Sequence, residues 1–174
     1  MNKEAEDLLK FINNSPTAFH AAETLKEEFK NAGFKELDPQ QKWNLKEGSK
    51  YFISRNESAL IAFITGRDFL NQGFRIISSH TDSPALKVKP DPVIKSDGHY
   101  LLNTEIYGGP ILDTWYDREL SLAGKIILRA ENSFELQEEL IDLEKNLAVI
   151  PNLAIHLNKD VNKKRKIDKK NGLR

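Results

Sequence analysis

The chain has no cysteine, which excludes disulfides, thiolate zinc sites and cysteine nucleophiles. It has no apolar run approaching the roughly 20 residues that a membrane-spanning helix needs. Its opening residues, Met1 to Glu6, lack the basic-then-apolar layout of a signal peptide. Neither charge dominates: 26 Lys and Arg meet 26 Asp and Glu, so the molecule as a whole is not a polyanion-binding surface. The motifs HExxH, GxSxG and GxxxxGK[ST] are all missing. The expectation is a cytoplasmic protein with no membrane and no nucleic acid as partner. What is present suffices for a core: 174 residues, 39% hydrophobic and 30% charged, room for one domain or for one domain and part of another.

The charge balance is uneven along the chain. Residues 163–174 hold seven basic residues and one acid, a basic tail of +6, so the preceding 162 residues carry −6. The tail has no aromatic residue to stack on bases, and a solvated terminus is the expectation for it.

Ala5, Leu8, Leu9 and Ile12 recur at helical spacing and predict a helix over 4–13. Ser15 suits an N-cap and Pro16 the first helical position, so a second helix is expected to about Ala32, with Gly33 as its C-terminal stop. From residue 51 the period changes. Residues 51–53 and 59–64 read as strands joined by a turn at Asn56-Glu57. Residues 74–79 read as a third strand beside 59–64. Ser96-Asp97-Gly98 between 93–95 and 99–102 is a hairpin signal, and 124–128 is another strand. Pro39, Pro90 and Pro92 mark boundaries. In 134–150, Leu136, Leu140, Leu143 and Leu147 fit a helical seam, while 147–151 fits a strand. The class is α/β, turning β-rich in a second folding unit from near Pro90.

The string Ser79-His80-Thr81-Asp82-Ser83-Pro84 carries the chemistry. In an extended chain His80 and Asp82 point to the same face. A neutral imidazole is a zinc ligand, and a nearby carboxylate can orient it or sit beside the metal. The alternative is an ordinary turn histidine followed by a cap. His156 lies in the apolar stretch 150–158, where a polar ring needs a partner: a satisfied core histidine, or a metal or substrate contact. His20 reads as a packed or half-exposed helix residue and His99 as a solvated hairpin residue. Glu105, Asp117 and Glu119 are further candidate carboxylates that no spacing selects. The loop Gly108 to Glu119 is either an interface with Trp115 and Tyr116 as anchors or a compact loop with Trp115 buried.

Five strings in order, SPTAFHAAETL (15–25), KWNLKEGSKYFISRN (42–56), SHTDSPALKVKP (79–90), YGGPILDTWYDRELSLAGK (107–125) and IPNLAIHLNKDVN (150–162), resemble the N-terminal part of the M18 family of zinc metalloaminopeptidases. The resemblance implies that residues 1–90 begin an α/β peptidase domain and that 91–162 begin an inserted β-rich dimerisation domain. It implies zinc as cofactor, a peptide as substrate and a homo-oligomer as the family's assembly. His80 matches the first zinc-ligand position and Asp82 the catalytic aspartate beside the metal. His156 matches a histidine that is either a second zinc ligand or a substrate contact donated across a subunit interface. The family's bridging aspartate, general-base glutamate and last histidine come from motifs beyond those found here. The chain alone is therefore expected to be an inactive N-terminal portion, with a non-catalytic assembly or regulatory role as the alternative.

Overall fold

The computed structural model describes residues 2–129 and 135–159; the basic tail expected at 163–174 lies outside the described residues. Among the described residues no helix is long and apolar enough to cross a membrane. The chain divides into two compact units. One holds the chain up to Asp82 together with Ala123–Asp142, and the other holds Ser83–Leu122 together with the chain from Leu143.

In the first unit, α1 (Lys3–Asn13) and α2 (Ala18–Asn31) form where the periodicity predicts them. The N-cap of α2 is Thr17, two residues later than expected: its Oγ1 accepts from His20 N at 3.4 Å and meets His20 Nδ1 at 2.8 Å. The helix ends at Gly33 with φ +80°, Gly33 N donating to Lys30 O and Phe34 N to Phe29 O, the paired bonds of a Schellman stop. The buried alanines Ala21 and Ala22 leave room for a sheet to approach.

That sheet has the order β1 (Lys35–Glu36), β2 (Lys50–Arg55), β3 (Ala59–Ile64). β1 runs parallel and β3 antiparallel to β2. Asn56 and Glu57 both hold positive φ in the three-residue turn between Arg55 and Ala59. Phe52 is fully buried and stacks on Phe29, with ring centroids 6.1 Å apart. After the short helix α3 (Phe69–Gln72), the strand expected at 74–79 does not form. The segment has β composition, but no described strand pairs with it, and Ile76 and Ile77 are 85% and 100% exposed. Composition supplies the propensity; a ladder also needs a partner.

β6 (Ala123–Arg129) and β7 (Leu136–Asp142) form an antiparallel hairpin that belongs to this unit. The helical reading of Leu136 and Leu140 fails because a spacing of four satisfies both the helical period and the strand period of two. Pairing with β6 decides for the strand. Lys125 reaches Glu138 at 2.8 Å and Glu57 at 3.5 Å, and its ammonium lies 5.0 Å from the Phe19 ring centroid. The hydrogen bond from Lys125 holds the Glu138 carboxyl below its ordinary range, and the bond to Glu138 raises Lys125.

The second unit is built on the hairpin β4 (Ala85–Ser96) and β5 (His99–Tyr107), turned by Asp97 and Gly98, both at positive φ. β4 runs through Pro90 and Pro92, which the sequence reading took as boundaries. The register jumps from Val88↔Thr104 to Val93↔Leu102, so four residues of β4 face one of β5. Residues without an N–H are tolerated in such a bulge, where the ladder is already open. Asn103 Nδ2 donates to Asp91 O at 3.0 Å across it.

Thr65 follows β3 and is completely buried. Its Oγ1 accepts from Ser49 N at 3.0 Å and donates to Lys46 O at 2.5 Å, closing the loop before β2. T65V keeps the shape but leaves that N–H and C=O without their partner. It is expected to cost about 1–3 kcal/mol in urea unfolding, with T65S losing less.

The Lys125–Glu138 pair sets a pH dependence. A carboxyl lowered in the folded state stabilises above its ordinary pKa, and that contribution is lost as pH falls through the lowered value. The raised Lys125 contributes below its ordinary value and is lost only in alkali. Between about pH 5 and 3, K125M is expected to lose less stability than the native chain, as read from urea midpoints. Equal losses would contradict this.

Candidate functional site

The chain crosses residues 73–84 without helix or strand, and His80 stands there with its side chain 78% exposed, Asp82 with 45%. Thr81 between them anchors the segment: its Oγ1 donates to Ser58 O, at the β2–β3 turn, at 2.8 Å. A turn of the chain between them brings the His80 ring against Asp82. His80 Nδ1 lies 2.6 Å from Asp82 O and 3.5 Å from Asp82 Oδ1.

A carbonyl oxygen only accepts, so the nitrogen facing it at 2.6 Å carries the proton. In the neutral ring Nε2 then holds the lone pair. A bond from one ring nitrogen to a backbone carbonyl is how proteins commonly direct the other nitrogen to a metal. The group that orients His80 is thus the backbone of Asp82, and its carboxylate is the more distant neighbour.

Beyond Asp82 the chain enters the second unit. There Gly108, at φ +72°, ends β5 against Pro84; an added Cβ would meet Pro84 Cα at 3.4 Å. Leu112–Trp115 form a 3₁₀ turn, with Trp115 half-buried and Ile111 exposed.

The expected carboxylates are engaged with protein groups. Glu119 Oε2 accepts from Asn146 Nδ2 at 2.6 Å, Asp117 Oδ1 accepts from Asn152 N at 2.9 Å, and Glu105 faces Lys87 at 4.0 Å across the β4–β5 ladder. His156 sits exposed in a turn, its amide neighbours Leu157 and Asn158 donating to Ala154 O at 2.8 and 3.2 Å. It is not the core histidine that the apolar stretch suggested, because Leu153, Ile155 and Leu157 around it face outward. His20 is held by its helix cap, and His99 is exposed at the end of the β4–β5 turn. Sequence reasoning missed Thr81 and Asn152: each acts through a partner distant in sequence, and no local pattern signals it.

The model for "Aminopeptidase I zinc metalloprotease (M18)" matches residues 11–174. The chain belongs to the M18 family. A relative from Clostridium novyi (strain NT), "Probable M18 family aminopeptidase 2", is 47% identical over 162 residues, which are 92% of this chain and 37% of the relative. The chain thus spans a little over a third of the curated relatives that it matches. Among solved structures, the Ape4 and Nbr1 complex matches with a TM-score of 0.92 and 37% identity, covering 97% of this chain and 33% of that one. The S. cerevisiae mApe1 dodecamer matches with a TM-score of 0.76 and 27% identity, covering 88% and 36%. The mixed helix and strand architecture is that of M18 aminopeptidase structures.

The family description names zinc. An imidazole with Nε2 available beside a carboxylate fits zinc in kind. It does not fit in number: no cluster of three or more His, Asp or Glu occurs among the described residues, whereas catalytic zinc takes three protein ligands as a rule.

The tautomer can be read directly. Long-range proton–nitrogen spectra at about pH 8, where an ordinary imidazole is neutral, are expected to show His80 protonated on Nδ1. D82N should leave that unchanged, because the acceptor is the backbone. A proton on Nε2 would contradict this geometry.

Proposed function

We propose that this chain carries the N-terminal share of a zinc-dependent aminopeptidase, which removes N-terminal residues, acidic ones among them, from peptides. The supporting observation is the pairing of His80 and Asp82, with the imidazole oriented through Nδ1 and Asp82 beside it. His80 would hold the zinc through Nε2. When bound, zinc supplies Lewis acidity toward the scissile carbonyl. Asp82 acts beside it as the catalytic carboxylate. His156 serves either as a further ligand or as a substrate contact given to another subunit.

The stretch up to about residue 90 would belong to the peptidase domain and 91–162 to a dimerisation domain. The mApe1 dodecamer supports a homo-oligomeric assembly, and a cytoplasmic setting suits a chain with no cysteine. Two donors do not make a working site, so the chain by itself should turn over negligibly.

The test assays the chain with zinc and an acidic aminoacyl substrate, alone and mixed with the remaining C-terminal part of the C. novyi relative. Activity is expected in the mixture only. H80A should abolish it, and D82N should lower kcat by about a hundredfold or more. Activity indifferent to H80A would overturn the zinc reading. Robust turnover by the chain alone would overturn its incompleteness.

A further inference from the structure

The start of the segment bearing His156 is held by the Asp117 carboxylate. Up to Ile150 the chain is paired, through the bridges Leu120↔Ala148 and Tyr116↔Ile150, and Ile150 is buried. Past Pro151, apolar contacts give little hold: Leu153, Ile155 and Leu157 are 61%, 46% and 75% exposed. Between the paired stretch and the His156 turn stands Asn152. Asp117 grips it twice, Oδ1 accepting from Asn152 N at 2.9 Å and Oδ2 from Asn152 Nδ2. Asp117 N also donates to Ile150 O at 2.9 Å. Asp117 holds a left-handed backbone, φ 54°, which a non-glycine residue keeps only where its surroundings impose it. Both acceptors are ionised oxygens, the stronger class of hydrogen bond.

We propose that Asp117 is the positioning residue for His156. Its carboxylate locks Asn152, sets the direction in which the chain leaves Pro151, and so presents the imidazole four residues beyond Asn152. This rests on the reading of His156 as a group given to the aminopeptidase site, and it serves a zinc ligand and a substrate contact equally.

The experiment uses the full chain and measures amide exchange at Leu157 and Asn158 together with the His156 ring resonances. D117G keeps the left-handed backbone and removes both carboxylate bonds. Protection at the two amides should fall about tenfold or more, and the ring signals should move to free-histidine positions. Amides of the β4–β5 ladder should not change. N152D sets one carboxylate against another and should act likewise. Adding D117N to N152D restores a donor opposite an acceptor and should return both readouts to native values. Unchanged exchange and ring signals in D117G would overturn the proposal, as would failure of the exchanged pair to restore them. Should D117G unfold the hairpin, the exchanged pair decides alone. Failure of the reading of His156 as a site group would show separately, as activity of the mixture indifferent to H156A.

Discussion

The bond between His80 Nδ1 and the Asp82 carbonyl oxygen governs what the segment after residue 79 can do. It fixes the tautomer and so decides which nitrogen offers a lone pair. It also requires the chain to curl back on itself within two residues. That curl holds because Thr81, between the two, is tethered to the β2–β3 turn. The chemistry of the segment thus depends on a strand pair that contributes no functional group of its own.

The same economy runs through both units. Buried apolar side chains are few among the described residues: Ala21, Ala22, Tyr51, Phe52 and Ile150. Loops are shaped instead by polar side chains that satisfy backbone groups, Thr65 for residues 46–49, Asp117 for Asn152 and Ser121 for Lys145. Buried or crowded backbone N–H and C=O groups must be paired, and where no ladder reaches them a side chain does so. Large apolar residues stay exposed at 74–77 and 153–157, in segments that have no strand partner among the described residues.

Much of this was legible in the residues. Both helices, the two hairpin turns at 56–57 and 97–98 and the Gly33 stop follow from local rules. These rules depend on neighbours a few positions away. The misreadings have a common origin. Leucines four apart served two periods at once, prolines at 90 and 92 fitted a bulge as well as a boundary, and the 74–79 strand signal had no means of saying whether a partner was near.

The sequence by itself determined the family, through five ordered strings, together with the local elements and the residue types able to hold a metal. Tertiary structure decided which backbone atom orients His80, that Asp117 and Glu119 are committed to asparagines, and that His156 stands exposed on a turn. The physical reason is distance along the chain. Helix periods, caps and turns are settled by contacts within a few residues, but a hydrogen bond between Asp117 and Asn152, or Thr81 and Ser58, exists only once the fold has brought them together.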